Sequence, residues 1–198
     1  MRENSLLTMT GVCKRFPGVQ ALQNATLEVA PGEVHVLLGE NGAGKSTLMK
    51  VLCGQYAADD GEITFVDRLI APENPIEAER LGLVIIHQEL NLIPGLTVAE
   101  NIFLGHEPTG GGFILGDVMR QTSVELLRRI RCDVDPDTPV AQLSVAEQQL
   151  VEIARALKEE AQLLVMDEPT AALADAEIEA LFEVIRGLAR EGVPVIYI

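Results

Sequence analysis

"EVHVLLGENGAGKS", residues 33–46, decides how the rest of the chain is read. "EVHVLL" is a short apolar run, the mark of a buried strand, and it ends at Gly39. Residues 39–46 fit G-x-x-x-x-G-K-[ST], and a helix is expected from about Lys45 to Cys53, closed by Gly54. Strand, glycine-rich turn and helix in that order make a phosphate cradle. Gly39, Gly42 and Gly44, with Glu40, Asn41 and Ala43 between them, let backbone amides curl around an anion. The helix N-terminus adds partial positive charge. Lys45 can reach β- and γ-phosphates, the Ser46 hydroxyl can bind Mg2+, and Thr47 follows in the same first turn.

Two other segments read as parts of the same chemistry. "LLVMDEPT", residues 163–170, places Asp167 and Glu168 just past an apolar strand. Ligands of open α/β sheets gather beyond the carboxyl ends of strands. Alone, this is most simply a strand ending in a solvated acidic turn. Paired with the phosphate loop, it predicts Asp167 facing Mg2+ and Glu168 deprotonating an attacking water. "LSVAEQQLVEIARAL", residues 143–157, has the capping-box pattern, Ser144 with Glu147 three places on. That helix start can cap itself, or can also offer its amides and hydroxyl to something anionic.

The remaining pattern predicts an α/β core with an insertion. "SLLTMTGV" and "ATLEVA" read as short strands joined through "CKRFPGVQALQN", and "EITFVD" and "LVIIHQ" read as further strands. "NPIEAERLG" reads as a short helix capped by Asn74. Residues 90–142 change character: Thr97 and Glu100 form a second capping box, "PTGGG" reads as a flexible loop, and Asp117 is positioned to cap a helix reaching about Arg131. No strand is expected there, so the stretch reads as a helical lobe inserted between a core of residues 1–89 and about 143–198. Ile178, Leu181, Phe182, Ile185 and Leu188 give a helix from about Ala176 to Arg190 an apolar stripe, before a last strand in "VPVIYI". The apolar run stops at Ile198 without a turn or cap, which suggests a piece of a longer protein.

Bulk properties narrow the partners. The chain has 198 residues, 47% of them apolar, and a formal charge of −15. A nucleic-acid binder would carry a basic face, so no nucleic-acid partner is expected. Cys13, Cys53 and Cys132 are odd in number and widely spaced, fitting neither a disulfide framework nor a zinc site. No signal peptide is evident, and no apolar run approaches the roughly 20 residues that span a bilayer, so a soluble chain is expected.

The phosphate loop, "LSVAEQQ" and "LLVMDEPT", in this order and spacing, resemble the ATP-binding cassette (ABC) ATPases over essentially the whole chain. "HQELNLIPGLTVAENIFLG" and "DEPTAAL" look closest to monosaccharide importers of the ribose, galactose and xylose type. The resemblance implies an α/β fold: a P-loop NTPase (RecA-like) core, an N-terminal antiparallel β subdomain and an inserted helical subdomain. It implies ATP and Mg2+ as cofactors, with Phe16 stacking on adenine. Gln88 would bind Mg2+ and the attacking water. Ser144, Val145, Ala146 and Glu147 would reach the ATP of a second cassette, expected in the C-terminal half of the same polypeptide. Membrane permease subunits and, indirectly, a periplasmic or extracellular sugar-binding protein would complete the assembly, at the cytoplasmic face of the membrane. Three departures stand out. Val145 and Ala146 replace the two glycines of the usual signature; Ala174, with Asp175 after it, stands where an Asp is usual; the family's switch histidine is expected beyond Ile198. Two other readings are a non-transport ABC ATPase of the translation or DNA-repair type, and a nucleotide-binding fragment without turnover. His87 is expected to be structural, His35 and His106 carry no role, and Arg128 with Arg129 reads as a solvated helix face.

Overall fold

A computed structural model describes residues 5–40, 42–170 and 173–198; Asn41 of the phosphate loop therefore lies outside the described residues. The chain divides into two compact units. The first runs to Ile85 and includes Ala161–Asp167 and Leu188–Ile198; the second is Ile86–Glu160 with Glu168–Gly187.

The first unit holds two sheets. β1 (Leu7–Phe16) and β2 (Val19–Val29) form a long antiparallel hairpin. The segment expected to connect two short strands is itself paired, with Lys14 opposite Leu22 and Phe16 opposite Val19. Register shifts between Met9 and Val12, and again beyond, break the period-2 alternation, so the sequence pattern ends where the pairing continues. β3 is Val34–Val36 alone, shorter than the apolar run suggests. β4 (Asp60–Phe65) pairs with β1, and β5 (Arg68–Ile70) with β4, in the order β2-β1-β4-β5. β5 is absent from the sequence expectations for a local reason. Its turn is Val66–Asp67 with φ of 48° and 58°, a doubly left-handed hairpin turn without the Asn-Gly that normally announces one.

The other sheet of this unit combines β3, β6 (Leu83–Ile86), β9 (Leu163–Met166) and β10 (Val195–Tyr197) in the order β3-β10-β9-β6. β10 runs parallel to both of its neighbours. All four residues of β9 are fully buried, as expected of a parallel strand covered on both faces. α1 (Lys45–Leu52) packs Met49, Val51 and Leu52 into one core with Leu7, Met9 and Val29 of the hairpin. α2 (Pro75–Arg80) is capped by Asn74, whose side chain accepts the Glu77 N–H, with Pro in its first turn.

In the second unit, α3 (Val98–Ile102) opens with the Thr97–Glu100 capping box. β7 (Thr109–Gly110) and β8 (Phe113–Ile114) then pair antiparallel, so residues 90–142 are not purely helical. "PTGGG" is a hairpin turn, with Gly111 and Gly112 at φ of 60° and 85°, not merely a loop. α4 (Gly116–Arg129) starts after Leu115; Asp117 lies in its first turn and makes no cap bond, since the helix begins one residue before it. α5 (Val145–Lys158) buries Val151, Ile153, Ala154 and Leu157 and contacts α3 and α4. α6 (Asp175–Arg190) begins in this unit. Among the described residues no helix is long and apolar enough to cross a membrane.

Candidate functional site

In the first unit, sheet register sets where the phosphate loop and Asp167 emerge. Tyr197 of β10 stands opposite Val36 of β3 and opposite Met166 of β9. The chain therefore leaves β3 and β9 at the same level, two strands and roughly 10 Å apart. Leu37 N–H donates to the Tyr197 carbonyl at 2.8 Å and Ile198 N–H to the Met166 carbonyl at 3.0 Å, extending both pairings to the sheet edge. Two residues beyond Leu37 the loop begins; one residue beyond Met166 stands Asp167, half-buried.

The loop itself is built to receive an anion. Gly42 and Gly44 have φ of 85° and 87°, in the left-handed region. Gly44 is the N-cap of α1, and no side chain caps this helix. Its first-turn N–H groups are thus left for an external acceptor. A Cβ on Gly44 would lie 2.6 Å from the Ala21 carbonyl and 3.0 Å from Leu22 Cδ2. Only glycine lets the loop lie this close to β2. The Lys45 ammonium donates to the carbonyls of Gly39 at 2.6 Å and Glu40 at 3.1 Å, so a cation spans the turn on the loop's own oxygens. Phosphate oxygens are acceptors of the same kind for that ammonium, and charged ones. Ser46 is exposed and Thr47 half-buried beside it.

Phe16 ends β1 on the hairpin whose second strand meets Gly44. Its ring packs edge-to-face on Tyr56, centroids 5.1 Å apart at 75°, and the Lys14 ammonium is 5.7 Å from its centroid. Lys14 also bonds Asp59 at 2.9 Å, and this bond, with the Arg15 N–H, holds the Asp59 carboxyl below its ordinary range. Tyr56 was not legible as a partner of Phe16, because the pairing joins a strand end to a turn 40 residues away.

In the second unit, Gln88 and Glu168 meet, although 80 residues separate them: the Gln88 amide donates to Glu168 Oε2 at 3.3 Å. Both are exposed. Glu168 has φ of 45°, a conformation that costs a non-glycine residue about 1–2 kcal/mol. Ser144 is exposed at the start of α5 and makes the full capping box: its Oγ accepts the Glu147 N–H at 3.3 Å, and Glu147 accepts the Ser144 N–H at 2.8 Å. The cap uses Oγ only as acceptor, so its O–H remains able to donate outward. Self-capping and anion recognition are therefore compatible at Ser144. Val145 is exposed and Ala146 half-buried beside it. Ala174 N–H is satisfied by the Glu177 carboxylate at 2.8 Å, and Asp175 is in the first turn of α6.

Among the described residues, no group of three or more His, Cys, Asp or Glu side chains could hold a metal ion. Ser46 and Asp167 offer a hydroxyl and a carboxylate. Mg2+ is commonly held by one or two such protein oxygens with substrate phosphates and water completing the shell, so this donor set fits Mg2+ together with a nucleotide. Two of the three histidines have local partners among the described residues: His35 Nδ1 lies 3.1 Å from Glu33, and His106 Nδ1 lies 2.7 Å from Glu159.

The ABC transporter family model matches residues 22–171. The chain is 52% identical over 195 residues to a putative ribose/galactose/methyl galactoside import ATP-binding protein of Burkholderia lata, covering 98% of this chain and 38% of that protein. It is 53% identical over 193 residues to the ribose import ATP-binding protein RbsA 1 of Rubrobacter xylanophilus, covering 98% and 39%. It thus spans about two fifths of the length of these curated relatives. The ADP conformation of an ATP-binding cassette of an ABC transporter superposes with a TM-score of 0.85 at 27% identity, covering 98% of this chain and 80% of that one. A dimeric ATP-binding cassette in a post-hydrolysis state with ADP and Pi gives 0.77 at 26% identity, covering 96% and 86%. These neighbours carry the α/β cassette architecture expected from the sequence.

Proposed function

The chain belongs to the ABC transporter family, and from that premise we propose that it is an ATP-binding and ATP-hydrolysing cassette that couples hydrolysis to sugar import through a membrane permease. One observation carries the hydrolytic part: Gln88 and Glu168, distant in sequence, meet through a hydrogen bond. In this reading the loop amides and Lys45 grip the β- and γ-phosphates, and the aromatic edge at Phe16 receives the adenine. Glu168 accepts a proton from the attacking water as that water adds to the γ-phosphorus and the β–γ bridging oxygen leaves with ADP. Gln88 spends its N–H on Glu168, which leaves its carbonyl oxygen to orient the water. Mg2+, held by Ser46, Asp167 and Gln88, would neutralise charge on the transferred phosphoryl group. The sugar-import assignment rests on what the relatives are named for, and the permease is the membrane part that an ATP-binding component of a transporter would drive. The test is vanadate-sensitive ATPase of the full-length protein. Turnover is expected to rise with permease and sugar-loaded binding protein, and indifference to both rejects the import reading.

Ser144, with the amides of Val145, Ala146 and Glu147, is proposed to face the γ-phosphate held by a second cassette, placed in the C-terminal half of the same polypeptide. Among these residues Glu147 is charged, and its carboxylate is locked into the cap. That negative charge opposes an incoming phosphate. Glu147→Gln preserves the capping box and removes the charge. ATP-dependent association of the two cassettes is therefore expected to tighten by about three- to tenfold, from an ion-pair-scale term of about 1 kcal/mol. Titration of cassette association against ATP checks it; unchanged association rejects the electrostatic argument. Location at the cytoplasmic membrane face follows from the permease partner in this proposal.

A further inference from the structure

Glu152 lies on α5 between Val151 and Ile153, both fully buried, and is itself 7% exposed. A carboxylate in such a place is costly unless bonded, and burial pushes its carboxyl above the usual range. Its partner is the main-chain N–H of Asn91, which donates to Glu152 Oε1 at 2.6 Å. Asn91 is three residues beyond Gln88. Its side chain donates to the Glu89 carbonyl at 3.2 Å, closing a turn that begins one residue after Gln88. Two residues further, Ile93 N–H donates to Asn101 Oδ1 at 2.7 Å, and the Asn101 amide bonds the Ile93 carbonyl in return. The segment from Gln88 to Ile93 is thus pinned to three side chains: Glu168, Glu152 and Asn101. Of these, Glu152 sits on the helix that Ser144 caps. Two turns of continuous helix, about 10 Å, separate it from Val145.

We infer that Glu152 is a positioning residue that ties the Gln88 segment to the helix bearing Ser144, so that Gln88 is aligned on Glu168 by the seating of that helix. The inference rests on the ATPase reading above and deepens it. A group that orients the attacking water in one site and a helix start proposed to face γ-phosphate in another are then joined by one hydrogen bond to a buried carboxylate. A purely structural role would show as lost stability with intact chemistry. A positioning role shows as lost kcat with intact nucleotide binding.

The experiment uses the full-length protein with its permease. Glu152→Ala is expected to lower kcat by about tenfold or more, as misplacement of a reacting group does, with KM for ATP within about threefold. Glu152→Gln retains an acceptor oxygen and is expected to restore kcat to within about threefold. Asn91→Pro removes the donor at an exposed position, leaving the helix core intact, and keeps the test decisive should Glu152→Ala fold poorly. The double variant is expected to be no worse than either single one, because both cut the same bond. Amide exchange at Asn91 should quicken in Glu152→Ala and stay slow in Glu152→Gln. Normal kcat in both single variants, fully additive losses, or a rise in KM without loss of kcat would overturn the inference. A wild-type protein without Lys45-dependent turnover removes the ATPase reading and this inference with it; a wild type that turns over while the variants match it removes this inference alone.

Discussion

Lys45→Ala is expected to weaken ATP binding by about 10- to 100-fold and to reduce turnover by about a thousandfold or more. The two numbers differ for a physical reason. In the ground state the ammonium meets phosphate charge that water and Mg2+ partly screen, and an interaction of about 2 kcal/mol is a reasonable scale. As the γ-phosphoryl group transfers, charge develops on oxygens that a fixed cation stabilises more strongly in a water-excluded site. The variant should fold normally. Among the described residues, the Lys45 ammonium bonds the carbonyls of Gly39 and Glu40, both exposed, so truncation leaves both within reach of water. Thermal unfolding without ligand is therefore expected to match wild type, while the added stability that ATP confers on the parent disappears. Calorimetric titration and steady-state ATPase on the full-length protein check both halves. Retained affinity and retained turnover together would sink the phosphate-loop assignment.

The strand, glycine turn and helix proposed to hold phosphate were legible as local structure because they are contiguous. The caps at Asn74, Thr97 and Ser144 were legible for the same reason, each being a bond within one turn. What escaped was set by irregular backbone or by distance in sequence. The full β1–β2 hairpin was hidden by shifts of register, and β5 by a Val-Asp turn in an unusual conformation. β7 and β8, two residues each, give no periodicity to read. At the candidate site, Glu168 was read from the strand before it and Gln88 from the family resemblance, but their contact is a product of tertiary folding. Glu152 did leave a trace in the sequence: a carboxylate on a helix that otherwise turns Val151, Ile153 and Ala154 inward.

Glu168→Gln is expected to lower turnover by about 100- to 10,000-fold while leaving ATP affinity within about threefold. The substitution is nearly isosteric, and a glutamine oxygen still accepts the Gln88 N–H now found at 3.3 Å from Glu168. Geometry is kept and basicity is lost. That separates this variant from Lys45→Ala, where binding and turnover fall together. Single-turnover hydrolysis and nucleotide titration on the same sample check the split; turnover above about a tenth of wild type would exclude Glu168 as the base. Backbone conformation makes an independent argument for a chemical role. At φ of 45°, Glu168 occupies a region that Gly, Asn or Asp would fill at lower cost. A strained residue persists where surrounding structure holds it, here between the fully buried end of β9 and the buried Pro169. The strain turns the residue after Asp167 out of the strand direction and presents its carboxylate to Gln88. A glutamate retained at that cost, and bonded there by a side chain from 80 residues away, is better explained by proton transfer than by the solvation of a surface turn.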